Sequence, residues 1–160
     1  MNLQVVSDLV SGVVVPLDPQ YSNLWGRGNS VNSVTIDQSV ATVDLGTLKL
    51  NVGAEGEQRA IDQIVWTLTD FASEVTGVAF TVNGKTVESF AGHVDTTGVF
   101  ERAIGYEVLN PIQISSINQG AELTSPVTIS GQACTFEANV VWKISQDGKV
   151  VQEGFTTASS

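Results

Sequence analysis

The segments that decide the fold are Glu57-Gln-Arg-Ala-Ile-Asp-Gln-Ile-Val-Trp-Thr-Leu-Thr-Asp-Phe-Ala72 and, shortly after it, Val78-Ala-Phe-Thr-Val-Asn-Gly-Lys-Thr-Val87. In the first segment and just beyond it, apolar residues recur at helical spacing: Ile61, Ile64, Val65, Leu68, Phe71, Ala72 and Val75. This spacing predicts a helix from Glu57 to Val75. A helix with such a stripe must cover a flat apolar surface.

The second segment predicts a β-hairpin. Asn83-Gly84 favours the two positive φ angles that the central residues of a type I′ turn require. Val78, Phe80 and Val82 alternate onto one face of the first strand. In this register Val87 is expected opposite Phe80 on the second strand.

The residues before the long helix add a short helix and two strands. Asn2–Ser11 carries an apolar helical face, and Gly12 is expected to end this helix. Val31–Ile36 and Val40–Leu45 alternate apolar and polar residues and predict strands. The order helix, strand, strand, helix, strand, strand predicts an α+β domain with helices layered on a sheet.

From Leu109 onward the helical period disappears and short strands are expected. Ile112–Ile114 and Val127–Ile129 predict two of them, and the alternating run Phe136–Ile144 predicts a third. Asp147-Gly148 predicts a second two-residue hairpin turn.

In the register of that turn, Ile144 would face Val151 and Val140 would face Phe155. An immunoglobulin-like sandwich has about seven strands, and fewer are visible here. The sequence is therefore expected to hold an incomplete all-β sandwich, cut short at Ser160 and at its N-terminus too.

Charge and composition limit the possible partners. The 160 residues include 17 acidic and 7 basic ones, which gives a net charge of −10. Such a charge repels phosphate backbones and anionic lipid surfaces, so no nucleic-acid partner is expected. The one cysteine, Cys134, cannot form an internal disulfide, and a partner cysteine beyond Ser160 is one hypothesis for it.

Three segments, in order, resemble the GerMN domain of bacterial sporulation and spore-germination proteins. They are Val31-Asn-Ser-Val-Thr-Ile-Asp-Gln-Ser-Val-Ala-Thr-Val-Asp-Leu45, Gln63-Ile-Val-Trp-Thr-Leu-Thr69 and Val82-Asn-Gly-Lys-Thr-Val-Glu-Ser89. The resemblance covers most of residues 1–107, and the strand that the family has before its first helix is missing.

The later segments are similar to the immunoglobulin-like domain of spore-germination proteins. These are Ser125-Pro-Val-Thr-Ile-Ser-Gly131, Phe136-Glu-Ala-Asn-Val140 and Glu153-Gly-Phe-Thr-Thr-Ala-Ser159. The two resemblances together imply a GerMN-like α+β domain at 1–107. They imply the N-terminal half of an immunoglobulin-like sandwich at 108–160.

The resemblance also implies a location and a role. It indicates an extracytoplasmic protein, secreted or lipid-anchored at the cell envelope, whose membrane contact is made only through an N-terminal anchor outside these residues. It implies a non-enzymatic interaction and assembly module, with no catalytic residue and no cofactor. The expected partners are other envelope or sporulation-type proteins, or a second copy of the chain.

Catalytic and metal sites find little support in the residues themselves. His93 is the only histidine and lies two residues from Asp95, but no nucleophile motif accompanies the pair, so a structural loop histidine is predicted. A hydrolase that uses His93 is the competing hypothesis. Asp44, Asp95 and Glu101 are too scattered for a calcium loop, and no metal site is predicted.

The tryptophans offer a candidate interaction surface. Trp66 falls opposite the apolar stripe, on the same side as Arg59 and Asp70. Either a loop such as the one holding Trp25 covers it, or it is an exposed anchor for a partner. The candidate surface consists of Trp66, Arg59, Asp70 and Trp25. The alternative function is a cell-wall glycan-binding module that stacks sugars on Trp25, Tyr21 or Trp66.

Overall fold

The structure, a computed structural model, describes residues 2–16, 21–71, 74–118 and 120–158. The chain divides into two units, Met1–Ala103 and Ile104–Ser160, and each has its own elements. Of the predicted helical stripe, Ala72 lies outside the described residues and the side chain of Phe71 lies outside the described side chains.

The first unit contains one sheet with strand order β1-β2-β3-β4. Its strands are β1 (Val31–Asp37), β2 (Val40–Leu45), β3 (Gly77–Val82) and β4 (Phe100–Glu101). A two-residue turn joins β1 and β2, which are antiparallel, whereas β2 and β3 are parallel because a helix crosses between them. β4 returns antiparallel to β3. The strands predicted at Val31, Val40 and Val78 are confirmed.

Two helices complete the first unit as a mixed α+β fold. Helix α1 spans Asn2–Val10 and helix α2 spans Ala54–Phe71. The helix α2 thus begins three residues before its predicted start, and its predicted end at Val75 is wrong, because Val75 is not helical. The core between helices and sheet consists of fully or almost fully buried side chains: Val6, Val10, Trp25, Ala41, Val43, Leu45, Ala60, Ile61, Ile64, Val65, Leu68, Val75, Val78, Phe80 and Phe90. The predicted stripe of α2 therefore covers the sheet as expected.

In the part of the chain that the structure describes, no helix combines the length and the apolar character needed to cross a bilayer.

The turn after β3 forms as predicted, but the second strand of the predicted hairpin does not. Asn83 and Gly84 adopt φ of 51° and 74°, which confirms the turn. The pairing ends after one bridge, between Val82 and Lys85, so the expected strand opposite β3 does not form and Val87 has no place opposite Phe80. Residues 88–97 instead form an irregular segment whose backbone N–H groups bind a side chain of α2. We call it the 88–97 loop.

The second unit consists of short elements: α3 (Gly105–Val108), β5 (Ile112–Ile114), β6 (Gly131–Ala133), a 3₁₀ turn at Phe136–Ala138, β7 (Asn139–Gln146) and β8 (Lys149–Thr157). The prediction of a strand at Val127–Ile129 is wrong. β5 pairs with β6 instead, where Gly131 lets the backbone approach Gln113 more closely than any side chain would allow. Among the residues of this unit whose side chains the structure describes, none is fully buried.

The β7–β8 hairpin has the predicted turn but a different register. Asp147 and Gly148 have φ of 50° and 74°. A bulge between Ile144 and Ser145 shifts by one residue all pairs that lie farther from the turn than the bulge. The predicted pairs of Ile144 with Val151 and of Val140 with Phe155 are therefore wrong. The observed pairs are Ile144–Gln152, Trp142–Gly154, Val141–Phe155 and Val140–Thr156.

Trp142 lies across the hairpin against Gly154. A Cβ atom added at Gly154 would come within 2.7 Å of the Trp142 ring, so glycine is what allows the indole to approach the neighbouring strand so closely. Phe136 begins the 3₁₀ turn rather than a strand, and its side chain is 88% exposed.

Gly12, which ends α1, gives a stability test of the first unit. Its φ is +72°, and an added Cβ would lie 2.9 Å from the carbonyl oxygen of Trp25, a backbone atom that cannot move aside easily. We expect Gly12→Ala to lower the free energy of unfolding by about 2 kcal/mol, measured by urea denaturation.

Gly26→Ala is the matched control, because nothing lies within 4 Å of its added Cβ. It should change the free energy of unfolding by no more than about 0.5 kcal/mol. Equal effects of the two substitutions would contradict the packing described for Gly12.

Candidate functional site

The first polar cluster is built on Glu57, in the first turns of α2. Glu57 precedes Ile61 by four residues and therefore lies on the apolar stripe, where its carboxylate is fully buried. Oε1 accepts hydrogen bonds from the backbone N–H groups of Phe90 (2.7 Å) and Ala91 (2.8 Å). Oε2 accepts from those of His93 (2.9 Å) and Val94 (3.2 Å).

These bonds decide the charge state of Glu57. Burial acts to raise the pKa of its carboxyl, and the four backbone N–H groups outweigh that effect, so the pKa lies below its usual value. The carboxylate therefore stays ionised and fixes the backbone of residues 90–94 to α2.

The rest of the 88–97 loop is held by its own side chains. Thr96 is buried, and its hydroxyl donates to the carbonyl oxygen of Val87 at 2.8 Å. Phe90 enters the core, where its ring packs edge-on against Trp25 and Phe80 with centroids 6.0 and 5.3 Å away. The loop is thus a packed part of the fold even though it has no regular secondary structure.

His93 and Asp95 do not form the pair that a hydrolase would need. The side chain of His93 is exposed, and its backbone N–H is bound by Glu57. Asp95 Oδ1 accepts from the hydroxyl of Thr97 (2.7 Å) and from its N–H (2.9 Å), and these two bonds lower the pKa of Asp95. Its carboxylate therefore stabilises a turn.

The second polar cluster joins Asp44 of β2 to the turn after β3. Asp44 Oδ1 accepts from the Thr81 hydroxyl and from the backbone N–H of Gly84, both at 2.7 Å. Oδ2 accepts from the amide of Asn32 at 2.9 Å. The Gly84 N–H contributes most to lowering the pKa of Asp44, followed by Thr81 and Asn32. The aspartate and the Asn-Gly turn of the sequence resemblance are thus in direct contact.

The third cluster is an arginine stacked on Trp66, which we call the Arg102 clasp. The guanidinium carbon of Arg102 lies 4.2 Å from the centroid of the Trp66 ring. Arg102 also donates to the Thr69 hydroxyl (2.9 Å), to the Trp66 carbonyl oxygen (3.1 Å) and to Asp70 Oδ1 (3.2 Å). The indole N–H of Trp66 is buried and has no hydrogen-bond partner among the described residues.

The structure places the four residues of the predicted interaction surface in different environments. Trp66 and Asp70 come together through Arg102, while Arg59 is half-buried and lies two helical turns before Trp66. The guanidinium of Arg102 covers one face of the Trp66 ring.

Trp25 requires a correction. It is 1% exposed, and its indole N–H donates to the carbonyl oxygen of Ala60 at 2.9 Å. It belongs to the core and presents no face to a ligand, because the segment around it packs along α2. Gln63, for instance, binds the backbone of Ser22 and Leu24.

Sequence reasoning missed Glu57 and Arg102. Glu57 carried a usable signal, since a carboxylate on the apolar stripe of a helix must find buried partners. Arg102 carried no such signal, because the residues that it contacts lie 32 to 36 positions earlier in the sequence.

The second unit adds little chemistry. Cys134 has an exposed, free thiol beside a shallow depression of about 250 Å³. Within the described ranges, no three His, Cys, Asp or Glu residues are grouped so that they could hold a metal ion.

Two family models match the chain. The model for sporulation and spore germination, Germane, matches residues 2–88. The model for the immunoglobulin-like domain of bacterial spore germination, Gmad2, matches residues 111–160. A search of the curated proteins gave no match.

Solved structures of similar fold include a candidate lipoprotein from Clostridium perfringens, with TM-score 0.56 and 18% identity over 63% of this chain and 66% of that one. The first GerMN domain of the sporulation protein GerM from Bacillus subtilis has TM-score 0.50 and 24% identity over 61% of this chain and 74% of that one. The chain thus spans just under two thirds of the first protein. At these identities the likeness is one of fold.

Glu57→Gln tests the first cluster. The amide keeps the shape of the side chain but turns an NH₂ group toward N–H donors, and it removes the charge that they bind. We expect the free energy of unfolding to fall by about 3 kcal/mol in urea denaturation. Glu55→Gln, at an exposed position on the same helix, is the control and should have almost no effect. A small loss in Glu57→Gln, equal to that of the control, would contradict the role assigned to the carboxylate.

The lowered pKa values predict an acid-labile first unit. A group whose pKa is lower in the folded state stabilises the fold fully above its unfolded pKa, and the contribution disappears as the pH falls through the folded value. The ordinary values are 4.5 for Glu57 and 3.8 for Asp44 and Asp95. We therefore expect stability to fall below about pH 4.5, in denaturation series from about pH 7 to about pH 3. The fall should be shallower in Glu57→Gln, and equal slopes in the two proteins would argue against the assignment.

Proposed function

The chain belongs to the sporulation and spore germination family, whose model matches more than half of its 160 residues, and from this we propose that it is a non-enzymatic interaction and assembly module of a bacterial cell-envelope protein. The single observation that carries the proposal is the use of its acidic groups. Asp44, Glu57 and Asp95 all bind backbone N–H, amide or hydroxyl groups of their own unit. These carboxylates hold turns and loops of the unit in place.

The interaction surface that we assign is the outer face of α2, formed by Arg59, Trp66 and Asp70 together with Arg102. The Arg102 clasp holds both a tryptophan and an arginine in one arrangement, and these residue types are enriched among those that dominate binding energies. Side chains that are ordered before binding lose less conformational entropy when a partner docks. The side chains of Asp70 and Arg102 are 75% and 33% exposed, so this face remains accessible.

The location is part of the same proposal. A fold neighbour is a candidate lipoprotein, and the family is one of sporulation and germination proteins. An extracytoplasmic position, secreted or lipid-anchored at the envelope, agrees with both. The partners would be other envelope or sporulation-type proteins.

The structure leaves the glycan-binding alternative with few exposed aromatic rings on which a sugar could stack. Trp25 is in the core, and the ring of Trp66 lies under a guanidinium. Of the aromatic residues proposed as stacking platforms, Tyr21 is the one that keeps a largely exposed side chain. Stacking of a sugar needs an accessible ring face, which this arrangement provides poorly.

Site-specific photo-cross-linking in the native cells tests the assigned face. A cross-linking amino acid at Asp70 should give a discrete adduct with an envelope protein, and Arg102→Ala should reduce the yield by about tenfold because it removes the clasp. The same cross-linker at Lys85, an exposed position at the turn after β3, is the control and should give no such adduct.

Three results would count against the proposal: no adduct at Asp70, equal adducts at both positions, or a yield that Arg102→Ala leaves unchanged. Binding to purified peptidoglycan that Trp66→Ala abolishes would favour the glycan-binding alternative instead. Thermal melting of each variant separates loss of binding from loss of fold.

A further inference from the structure

The turn after β3 holds the one asparagine of the chain that precedes a glycine. Glycine has no Cβ, so its backbone nitrogen can approach the side chain of the residue before it without steric hindrance. An Asn-Gly pair is therefore the arrangement in which asparagine, a thermolabile residue, reacts most readily with its own backbone. Asn83 and Gly84 are both exposed, so water reaches the pair.

The reaction open to this pair is an intramolecular displacement followed by hydrolysis. The Gly84 nitrogen gives up its proton and attacks the side-chain carbonyl carbon of Asn83, which forms a new C–N bond. The C–N bond of the side-chain amide then breaks, and its nitrogen leaves as ammonia with the proton that Gly84 gave up. The product is a cyclic succinimide. A water molecule opens the ring at either of its carbonyl carbons and yields aspartate or isoaspartate, with no oxidation or reduction.

The Gly84 N–H, which must lose its proton first, is held by a carboxylate. It donates to Asp44 Oδ1 at 2.7 Å. A negative charge beside an N–H group disfavours removal of the proton, because the nitrogen would become a second anion next to the first. The same charge opposes the oxyanion that forms as the nitrogen attacks. Asp44 is itself fixed by the Thr81 hydroxyl (2.7 Å) and by the amide of Asn32 (2.9 Å).

The side chain of Asn83, which supplies the carbon under attack, is held as well. Its amide nitrogen donates to the carbonyl oxygen of Gly46 at 2.9 Å, and its backbone N–H donates to that of Leu45 at 2.8 Å. Loss of ammonia removes the donor of the first of these bonds. The reaction therefore breaks a hydrogen bond of the fold at Asn83 in addition to the one between Gly84 and Asp44.

We propose that Asn83–Gly84 is a latent modification site, whose side-chain amide is protected in the folded chain by the carboxylate of Asp44. A carboxylate in this place has one opposing role open to it, that of a general base which accepts the Gly84 proton. The pKa of Asp44 lies below its usual value, chiefly because of the Gly84 N–H itself. A weaker base removes a proton less readily, so the protective effect of the charge dominates.

The second unit contains a turn of the same kind without such a carboxylate. Asp147-Gly148-Lys149 differs from Asn83-Gly84-Lys85 only at its first residue, and its φ values of 50° and 74° match those of 51° and 74°. Among the described residues, no side chain accepts a hydrogen bond from the Gly148 N–H. The chain thus carries its own comparison for the effect of Asp44.

The modification site is separate from the interaction surface on α2, and it goes beyond the proposed function. Conversion would break the hydrogen bond between Asp44 and Gly84. Isoaspartate would also lengthen the main chain of the turn, because the side chain becomes part of the backbone. Protection of this one amide therefore preserves the contact between β2 and the turn after β3.

Asp44→Asn tests the protection directly, because it removes the charge and keeps the size of the side chain. The purified chain and the variant are incubated at neutral pH, below the temperature at which either melts, and peptide mapping by mass spectrometry follows residue 83. We expect the variant to lose the Asn83 amide at least about tenfold faster. An unchanged rate overturns the proposal, and so does a slower one, which would make the carboxylate a base.

Thr81→Val is the control for loss of stability, because it removes another hydrogen bond of Asp44 and leaves the charge beside Gly84. It should change the rate at Asn83 by no more than about twofold. An acceleration equal to that of Asp44→Asn would contradict the role of the charge.

Asp147→Asn provides a test that leaves the first unit unchanged, so it decides the question even if Asp44→Asn does not fold. Both turns then read Asn-Gly-Lys, and the two rates are measured in one molecule. The amide introduced at position 147 should be lost at least about tenfold faster than that of Asn83. Equal rates, or a faster loss at Asn83, overturn the proposal.

Discussion

Four backbone N–H groups converge on one buried carboxylate, and the rest of the first unit depends on that convergence. Removing an ion from water costs several kcal/mol. Glu57 is tolerated on the apolar stripe of α2 because every hydrogen bond it receives is made to its charged form. Residues 90–94 belong to no strand, and the Glu57 carboxylate accepts hydrogen bonds from backbone N–H groups that would otherwise lack a partner. The chain can therefore continue after the Asn-Gly turn without forming a second hairpin strand, and the hydrogen bonds to Glu57 still hold it in a defined conformation.

The 88–97 loop sets the course of the chain as far as the end of the unit. Phe90 enters the core between Trp25 and Phe80, and the chain then returns as β4 on the far side of β3. From the end of β4, Arg102 extends over Trp66 and binds three groups of α2. The helix thus holds the last part of the unit at two places, through a carboxylate at its start and through a tryptophan near its end.

Patterns of a few residues predicted the parts of the structure that depend on local chemistry. The stripe from Ile61 gave α2 and its buried face, and Asn83-Gly84 and Asp147-Gly148 gave two turns with positive φ. The sequence resemblance predicted both families. The predictions were wrong where contacts between residues far apart in the sequence determine the structure. Val87 pairs with no strand because Glu57, some thirty residues away, holds the next segment, and the bulge at Ile144 moved a register that turn chemistry alone could not set. Trp25 lies in a loop beside glycines, but distant partners decide its burial: its ring packs against Phe90 and its indole N–H donates to the carbonyl oxygen of Ala60.

The three tryptophans sit in three unlike surroundings, and this gives the chain a set of natural spectroscopic reporters. Trp25 is in the core with its N–H bonded to a carbonyl, and Trp66 lies beneath a guanidinium with its N–H unbonded among the described residues. Trp142 lies close against a glycine in the second unit. Hydrogen bonding and nearby charge both shift the resonance of an indole proton and the emission of its ring. Each indole can therefore be followed separately. Without any added label, one monitors the packing of the core, one the closure of the Arg102 clasp, and one the hairpin of the second unit.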